Sequence, residues 1–280
     1  MTHYTLLVGS SGGGFAATSF VELTSGSSTF NVPTGYNAIH IQYAVGAGGG
    51  AMRGADYDKA GGESAGAGGG SGAFISDKIF SVTAGETITY AVGAGGARGT
   101  GVYSGSAGDG TDTTLSGSTT GAIFTLSGGG GSSCANGGVQ GPVRDNTAGT
   151  AGSATIDGTA ITSGIFADSD NSIKNVTSNT SGPTTTFNDS GDGAVGNISG
   201  DSGQGPGNCN GDNCRINGND GADSYDGNIL GGAGGSSVGA GTAGTAGTRG
   251  SGGGGGAAQV NSGSTQGAAG GDGEIKYRFL

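Results

Sequence analysis

The chain has 280 residues, of which 71 are Gly and only 4 are Pro, a composition that excludes a collagen triple helix and a proline-rich linker. Its 10 Lys and Arg against 21 Asp and Glu give a net charge of −11, and the basic residues are scattered, which excludes nucleic acid and anionic membranes as expected partners. Because each ordered Gly costs roughly 0.5–1 kcal/mol more than Ala, either much of the chain is disordered or it forms a structure that only Gly allows.

The N-terminal residues 1–9 have no basic start and only three consecutive apolar residues, and they predict neither a signal peptide nor an anchor. No apolar run approaches the length of a transmembrane span. We therefore expect cytosolic synthesis and no membrane insertion. The three cysteines, Cys134, Cys209 and Cys214, are an odd number, which argues against a disulfide framework; a local pair between Cys209 and Cys214 stays open.

Alternating apolar and polar residues predict β-strands in the first half of the chain and at its end. Ile39, Ile41 and Tyr43 share one face of such a strand, while His40 and Gln42 take the other. No segment has a helical period. The prediction is a mainly β fold with a small antiparallel core that the C-terminal strand closes. The expected strands lie in or near 20–32, 37–45, 73–82, 86–92, 122–126 and 274–279.

Glycine follows these strands in a regular pattern. The phrase IQYAVGAGG at 41–49 returns as ITYAVGAGG at 88–96, so that two strands run directly into glycine. Three residues per turn is the period of the polyproline II helix, and bare glycine faces let neighbouring helices bond to each other through their backbones. The sequence thus predicts a polyglycine II bundle; the alternative is a disordered low-complexity tract. The three-residue spacing connects Gly93, Gly96 and Gly99; Gly105 and Gly108; Gly149 and Gly152; Gly241, Gly244, Gly247 and Gly250; and Gly267, Gly270 and Gly273.

Between the glycine runs lie long polar segments rich in Asn, Asp, Ser and Thr, which are typical of loops. Loops on a rigid scaffold are the natural place for binding. Tyr and Arg side chains in them are candidate recognition residues; the alternative is local packing under the loop, most of all for the two Phe. The loops are 51–60, 98–106, 134–146, 155–188 and 208–228, and the candidates are Tyr57, Arg98, Tyr103, Arg144, Phe166, Phe187, Arg215 and Tyr225.

No motif predicts an enzyme or a cofactor. Residues 45–50 look like a dinucleotide-binding turn, but the following residues supply no helix to hold a pyrophosphate. His3 and His40 are the two histidines, and neither provides a convincing base for a Ser or Cys nucleophile. The run from Asp212 to Asp223 has the oxygen-rich look of a calcium loop without EF-hand spacing, and a tight polar turn explains it better.

One family contains these motifs in the same order. They are a VPTG turn at 32–35, the two strand-glycine phrases, a four-glycine run at 128–131 and GGDGEIKY at 270–277 before the last strand. The order resembles the glycine-rich domain of bacteriophage tail proteins, over roughly 28–132 and 231–280. The chain is similar to the distal tail-fibre adhesins of T-even-like phages, and the resemblance implies a polyglycine II sandwich whose variable loops bind host receptors, with no catalytic residues. Residues 133–230 are less regular than that pattern.

We therefore expect a phage tail-fibre or tail-tip adhesin in the virion, with a host-surface protein or glycan as its partner. Residues 1–18 are the expected attachment segment to other tail proteins. They precede a β core with the first glycine helices at 19–132, a loop-rich insertion at 133–230 and the closing glycine helices and strand at 231–280. One alternative is a purely structural virion component, such as a fibre segment or decoration protein. Another is an ice-binding bundle, for which only the GTA repeats at 241–249 offer a regular Thr and Ala face.

Overall fold

The computed structural model describes the main part of the chain and contains only strands as regular elements. The described residues are 16–53, 66–100, 105–134, 146–161, 174–176, 185–187, 195–196, 215–216, 221, 243–256, 258–259 and 265–280. The strands are β1 (Val21–Leu23), β2 (Ser27–Asn31), β3 (Ala38–Val45), β4 (Phe74–Ser81), β5 (Thr87–Ala91), β6 (Gly105–Ser106), β7 (Thr113–Gly117), β8 (Gly121–Leu126), β9 (Ser133–Cys134), β10 (Asn146–Thr147), β11 (Ala154–Ile156), β12 (Thr159–Ile161), β13 (Lys174–Val176), β14 (Thr185–Phe187), β15 (Val195–Gly196), β16 (Arg215–Ile216), β17 (Ala258–Gln259) and β18 (Glu274–Phe279). Across these ranges no helix is long and apolar enough to cross a membrane.

Two antiparallel sheets form the core. The first has the strand order β1-β18-β3-β4-β15, and the second has the order β12-β11-β8-β7-β5-β2. The predicted mainly β fold is confirmed, and the C-terminal strand lies inside the first sheet between β1 and β3. The sheets do not close into a barrel. Three small sheets, β10-β9-β6, β13-β14 and β16-β17, complete the described strands.

The apolar face of each strand is buried between the two sheets. Ile39, Ile41 and Ile275 of the first sheet are fully buried in the same cluster as Ile88 and Phe124 of the second. Each side chain of this size contributes roughly 1.5–3 kcal/mol through burial. The alternation that predicted the strands therefore identifies the faces that hold the sheets together.

A buried carboxylate joins two turns at one end of the second sheet. Glu86 accepts hydrogen bonds from the Thr83, Thr119 and Thr120 N–H groups and from the Thr120 hydroxyl, at 2.6, 3.0, 3.0 and 2.6 Å. Burial disfavours its charged form, but these donors outweigh burial and lower the pKa of Glu86 from 4.5 to about 2. The ionised side chain thus ties the turn before β5 to the turn between β7 and β8.

Among the described residues, nine glycine segments continue beyond the strands. Segments that leave the sheets pair antiparallel with segments that return, as 46–52 does with 66–73, where the start of one bonds to the end of the other. Segments 1, 3, 5 and 8 run away from the sheets, and segments 2, 4, 6, 7 and 9 run back. They are segment 1 (46–52), segment 2 (66–73), segment 3 (93–100), segment 4 (107–112), segment 5 (127–132), segment 6 (148–153), segment 7 (243–248), segment 8 (251–256) and segment 9 (265–273).

Candidate functional site

Segment 1 donates its backbone hydrogen bonds to three neighbours in rotation. The N–H groups of Gly46, Ala47 and Gly48 bond to segments 2, 4 and 9, at 2.8, 3.3 and 2.8 Å. The next three residues repeat the order, so the direction of bonding returns every three residues. The acceptors are the carbonyls of Ala73, Thr111 and Gly271, and then of Gly70, Gly108 and Ala268.

The carbonyl groups of segment 1 accept hydrogen bonds from three further neighbours, with the same three-residue period. Those of Ala47, Gly48 and Gly49 accept from segments 5, 3 and 8, and those of the next three residues again follow that order. The six neighbours are also bonded to each other in a closed ring, in the order 2, 8, 9, 3, 4, 5. Segment 6 lies against 2 and 5, and segment 7 against 8 and 9. We call these nine segments the glycine bundle.

The close approach of backbones explains why the bundle needs glycine. A Cβ atom added to Gly49 would lie 2.0 Å from the Gly130 carbonyl oxygen, and one on Gly69 would lie 2.1 Å from that of Gly49. Any side chain at these positions would occupy the space of a neighbouring peptide group. Backbone hydrogen bonds between the segments therefore offset the entropic cost of ordering glycine.

At the lateral edges of the bundle, side chains take the place of a neighbouring segment among the described residues. The carboxylates of Asp109 and Asp272 accept from the N–H groups of Gly131 and Gly95, both at 2.8 Å. Asp112 caps Gly128 in the same way at 3.3 Å, and the Thr111 hydroxyl accepts from Ala94 at 2.7 Å. These capping side chains satisfy edge donors that would otherwise lack a partner.

The end of the glycine bundle that faces away from the sheets, which we call the distal end, is where outgoing segments turn back. Four chain connections leave and re-enter there, between 53 and 66, 100 and 105, 134 and 146, and 256 and 265. Ser132 seals this end, since its hydroxyl accepts from the Met52 N–H at 2.8 Å and donates to the Ala67 carbonyl at 2.7 Å. Met52 and Ala107 form a small buried cluster beside it.

An ion pair between the buried Glu274 and the half-exposed Arg249 fixes the opposite end of the bundle to the first sheet. Glu274 of β18 is 4% exposed, accepts a hydrogen bond from the Tyr43 hydroxyl and lies 3.0 Å from Arg249. Burial and the Glu274 carboxylate both raise the pKa of Tyr43. Because Arg249 is in the turn between segments 7 and 8, this network anchors that turn to the core.

Among the predicted recognition residues, Arg98 is the one whose side chain is described, and it is exposed on segment 3. It lies near the distal end, because the adjacent Gly99 N–H bonds to the Ala51 carbonyl at 3.0 Å. Phe187 ends β14 and Arg215 begins β16. The candidates outside the described residues are Tyr57, Tyr103, Arg144, Phe166 and Tyr225, together with Cys209, Cys214 and most of the run 212–223. The described residues contain no cluster of three or more potential metal ligands.

The capping side chains and the distal seal were missed from the sequence. The signal for the caps is an Asp beside glycine, in DGTD at 109–112 and in GGDG at 270–273. In the first motif, Asp109 and Asp112 are three residues apart and both cap segment 5. In the second, Gly270 and Gly273 are three residues apart and both bond to segment 3.

The chain matches one family of known proteins in composition and extent. The sequence profile of the glycine-rich domain matches residues 22–280. The chain belongs to the glycine-rich domain family. The match extends from β1 to the end of β18, so this glycine-rich domain comprises both sheets and the glycine bundle. No curated protein matches the chain. The family description specifies neither an activity nor a phage tail.

Proposed function

We propose that this glycine-rich domain is a phage tail-fibre or tail-tip adhesin whose distal loops bind a protein or glycan on the host cell surface. The observation that carries the proposal is the gathering of four chain connections at the distal end of the glycine bundle. Three of the predicted recognition residues, Tyr57, Tyr103 and Arg144, belong to three of these connections. Polar loops that start from one end of a scaffold suit a partner that approaches along its axis.

The glycine segments are, in this proposal, polyglycine II helices. The support is the three-residue rotation of both N–H and C=O bonds around segment 1, because a helix with three residues per turn directs every third group toward the same neighbour. Glycine at every third position in segments 3, 7 and 9 fits the same period. A crystal structure of the protein tests this directly: backbone dihedral angles of the polyproline II region are expected throughout segment 1, and β-strand or scattered values would overturn it.

Attachment to the rest of the fibre would take place at the other end of the molecule. The Thr18 N–H bonds to the Phe279 carbonyl at 3.1 Å, so the described chain begins beside the end of β18 that is remote from the glycine bundle. Thr18 thus lies at the end of the sheets opposite the glycine bundle, and the proposed attachment segment is the part of the chain that leads up to it. This arrangement leaves the loops free to face a cell while the N-terminal segment joins other tail proteins.

The rigid bundle has a physical role in binding. Each loop starts and ends on segments that are bonded to several neighbours, so less conformational entropy is lost when the loop meets a receptor. The exposed Arg98 beside the loops offers a directional donor for a glycan or carboxylate. The net charge of −11 limits nonspecific attraction to anionic cell envelopes.

Binding of the full chain to intact bacteria tests the proposal. The fluorescently labelled protein is added to a panel of bacterial strains, and retention on cells is measured by flow cytometry. The combined substitution Tyr57→Ala, Tyr103→Ala and Arg144→Ala is expected to weaken cell binding by more than about tenfold, as loss of interface anchors does. Ile79→Ala, on the exposed outer face of the first sheet, is the matched control and should bind as the unchanged protein does.

Two results would contradict the proposal. Absence of binding to every strain, with an intact fold by circular dichroism, would remove the adhesin function and favour a structural virion component. Binding that survives the triple substitution but is lost in Ile79→Ala would place the receptor site on the sheets.

A further inference from the structure

The outer side of segments 3 and 4 forms a shallow groove along the glycine bundle. The two segments are joined by hydrogen bonds from the Gly108 N–H to the Ala97 carbonyl at 2.7 Å and from the Thr111 N–H to the Ala94 carbonyl at 3.0 Å. Ala94, Ala97 and Asp109 are exposed along the groove, and Gly108 is half-buried between them. The groove therefore follows the bundle axis over about one turn, from residue 94 to residue 97.

The backbone groups in this groove continue the bonding pattern of the bundle. The Ala94 N–H is capped by the Thr111 hydroxyl at 2.7 Å, and the three-residue period directs the Ala97 N–H to the same side. Within the part of the chain that the structure describes, no acceptor bonds to the Ala97 N–H and no donor bonds to the Asp109 carbonyl. The groove thus offers one donor and one acceptor on adjacent segments.

The floor of the groove is formed by a glycine without a side chain, as it is at the positions inside the bundle that a neighbouring segment occupies. A Cβ atom on Gly108 would lie 2.9 Å from the Ala97 nitrogen, so a side chain there would cover the donor. In the interior, the same combination of a bare glycine, an N–H on one segment and a C=O on the next is occupied by a further glycine segment. The edge donors of Gly95, Gly128 and Gly131 are capped by Asp272, Asp112 and Asp109, whereas no carboxylate caps the Ala97 N–H among the described residues.

We propose that this groove, lined by Ala97, Gly108 and Asp109, binds a glycine-rich segment of a second copy of this chain as an additional position in the bundle. The incoming segment donates an N–H to the Asp109 carbonyl and accepts from the Ala97 N–H, in continuity with the bonds between segments 3 and 4. A second copy supplies the required chemistry because glycine at three-residue spacing recurs throughout this sequence. The inference rests on the polyglycine II geometry proposed above, but not on host binding.

Ala97→Pro is the substitution that tests the groove most sharply. Proline fixes φ close to the polyproline II value, so the backbone of segment 3 is preserved. The substitution removes the N–H donor and places the ring in the groove. Ala246→Pro is the matched control: residue 246 is an exposed Ala on segment 7, away from segments 3 and 4, and its N–H bonds to no acceptor among the described residues.

Self-association of the full chain is measured by sedimentation equilibrium over a range of concentrations. The unchanged protein and Ala246→Pro are expected to associate equally, and Ala97→Pro at least about fivefold more weakly, the effect of one lost hydrogen bond of about 1 kcal/mol. A protein that stays monomeric at all concentrations, or Ala97→Pro that associates as strongly as the control, would overturn the proposal.

A peptide probe locates the contact independently. The peptide GAGGGSGA, with the sequence of residues 66–73 and glycine at every third position, is titrated into the labelled protein and followed by nuclear magnetic resonance. Shifts of the Ala97 and Asp109 backbone signals are expected, with none in Ala97→Pro; shifts confined to the other side of the bundle would contradict the groove. Self-association without binding to cells would refute the adhesin and leave this inference standing.

Discussion

Gly49→Ala is the smallest change that tests whether close backbone contact holds the glycine bundle together. Gly49 lies in the middle of segment 1, and its added Cβ would be 2.0 Å from the Gly130 oxygen and 2.4 Å from the Gly130 carbon. Ordinary van der Waals contact begins at 3.4 Å, so segments 1 and 5 must move apart until that separation is reached. No flexible side chain is available to yield, because both contacts are backbone atoms.

The energetic cost follows from the bonds between these two segments. The Gly129 N–H bonds to the Ala47 carbonyl at 2.8 Å, and the Ser132 N–H to the Gly50 carbonyl at 3.1 Å. Loss of two buried bonds costs about 4 kcal/mol, since each leaves unpaired groups as well as a lost interaction. Ala restricts the unfolded chain more than Gly and returns about 1 kcal/mol. The net destabilisation is about 3 kcal/mol.

Guanidinium unfolding, followed by circular dichroism, measures this difference against a matched glycine. Gly85→Ala is the control because its Cβ would meet no atom within 4 Å, although its φ of +81° makes Ala strained. That strain costs about 1 kcal/mol. If Gly49→Ala destabilises the protein no more than Gly85→Ala, close packing of the glycine segments is refuted.

Three further substitutions test single side chains. The hydrogen-bonded carboxylate of Glu86 adds stability that is present above pH 4.5 and is lost as the pH falls toward its folded pKa of about 2. In Glu86→Gln, the free energy of unfolding should therefore depend less on pH over that range, and an unchanged pH dependence would contradict this. Asp109→Ala leaves the Gly131 N–H without its cap and should cost about 1 kcal/mol in denaturant unfolding, with faster amide exchange at Gly131, whereas unchanged exchange would argue against capping. Tyr43→Phe removes a donor to the buried Glu274 and should cost about 2 kcal/mol, and equal stability would show that the hydroxyl contributes nothing.

The strands could be predicted because each buries one face and exposes the other. Residues 37–45, 86–92 and 274–279 were expected from that alternation, and β3, β5 and β18 confirm them. By contrast, β7 and the hairpin of β11 and β12 were missed. Their sequences, TTLSG, ATI and TAI, are short and carry few large apolar residues, so the pattern lacks a clear period.

The glycine spacing predicted a three-residue period but not the neighbours of each segment. Gly244, Gly247 and Gly250 do bond in turn to successive third residues of the chain at 266, 269 and 272. Which segments surround 46–52 depends on the order in which the strands enter the sheets, and that order is a long-range property. The central segment even contains Ala47 and Ala51, which are fully buried, so glycine content alone does not identify the centre.

The candidate recognition residues could be proposed only as loop members. Composition separates a polar loop from a glycine segment, and the described flanks place three of these loops at the distal end. A side chain's role in binding depends on the receptor surface, which leaves no trace in composition or spacing. Arg98 differs from the others because its own segment is bonded on both sides of it, at Ala97 and Gly99.

Residue-resolved hydrogen exchange of segment 1 tests the central claim most directly. The N–H groups of Ala47, Gly48 and Gly49 bond to three different segments, so an intact bundle protects all three together. We expect these amides to exchange as slowly as that of Ile41 in the core of the first sheet. Exchange at the rate of an unstructured peptide, with Ile41 still protected, would show that the glycine segments do not form a hydrogen-bonded bundle.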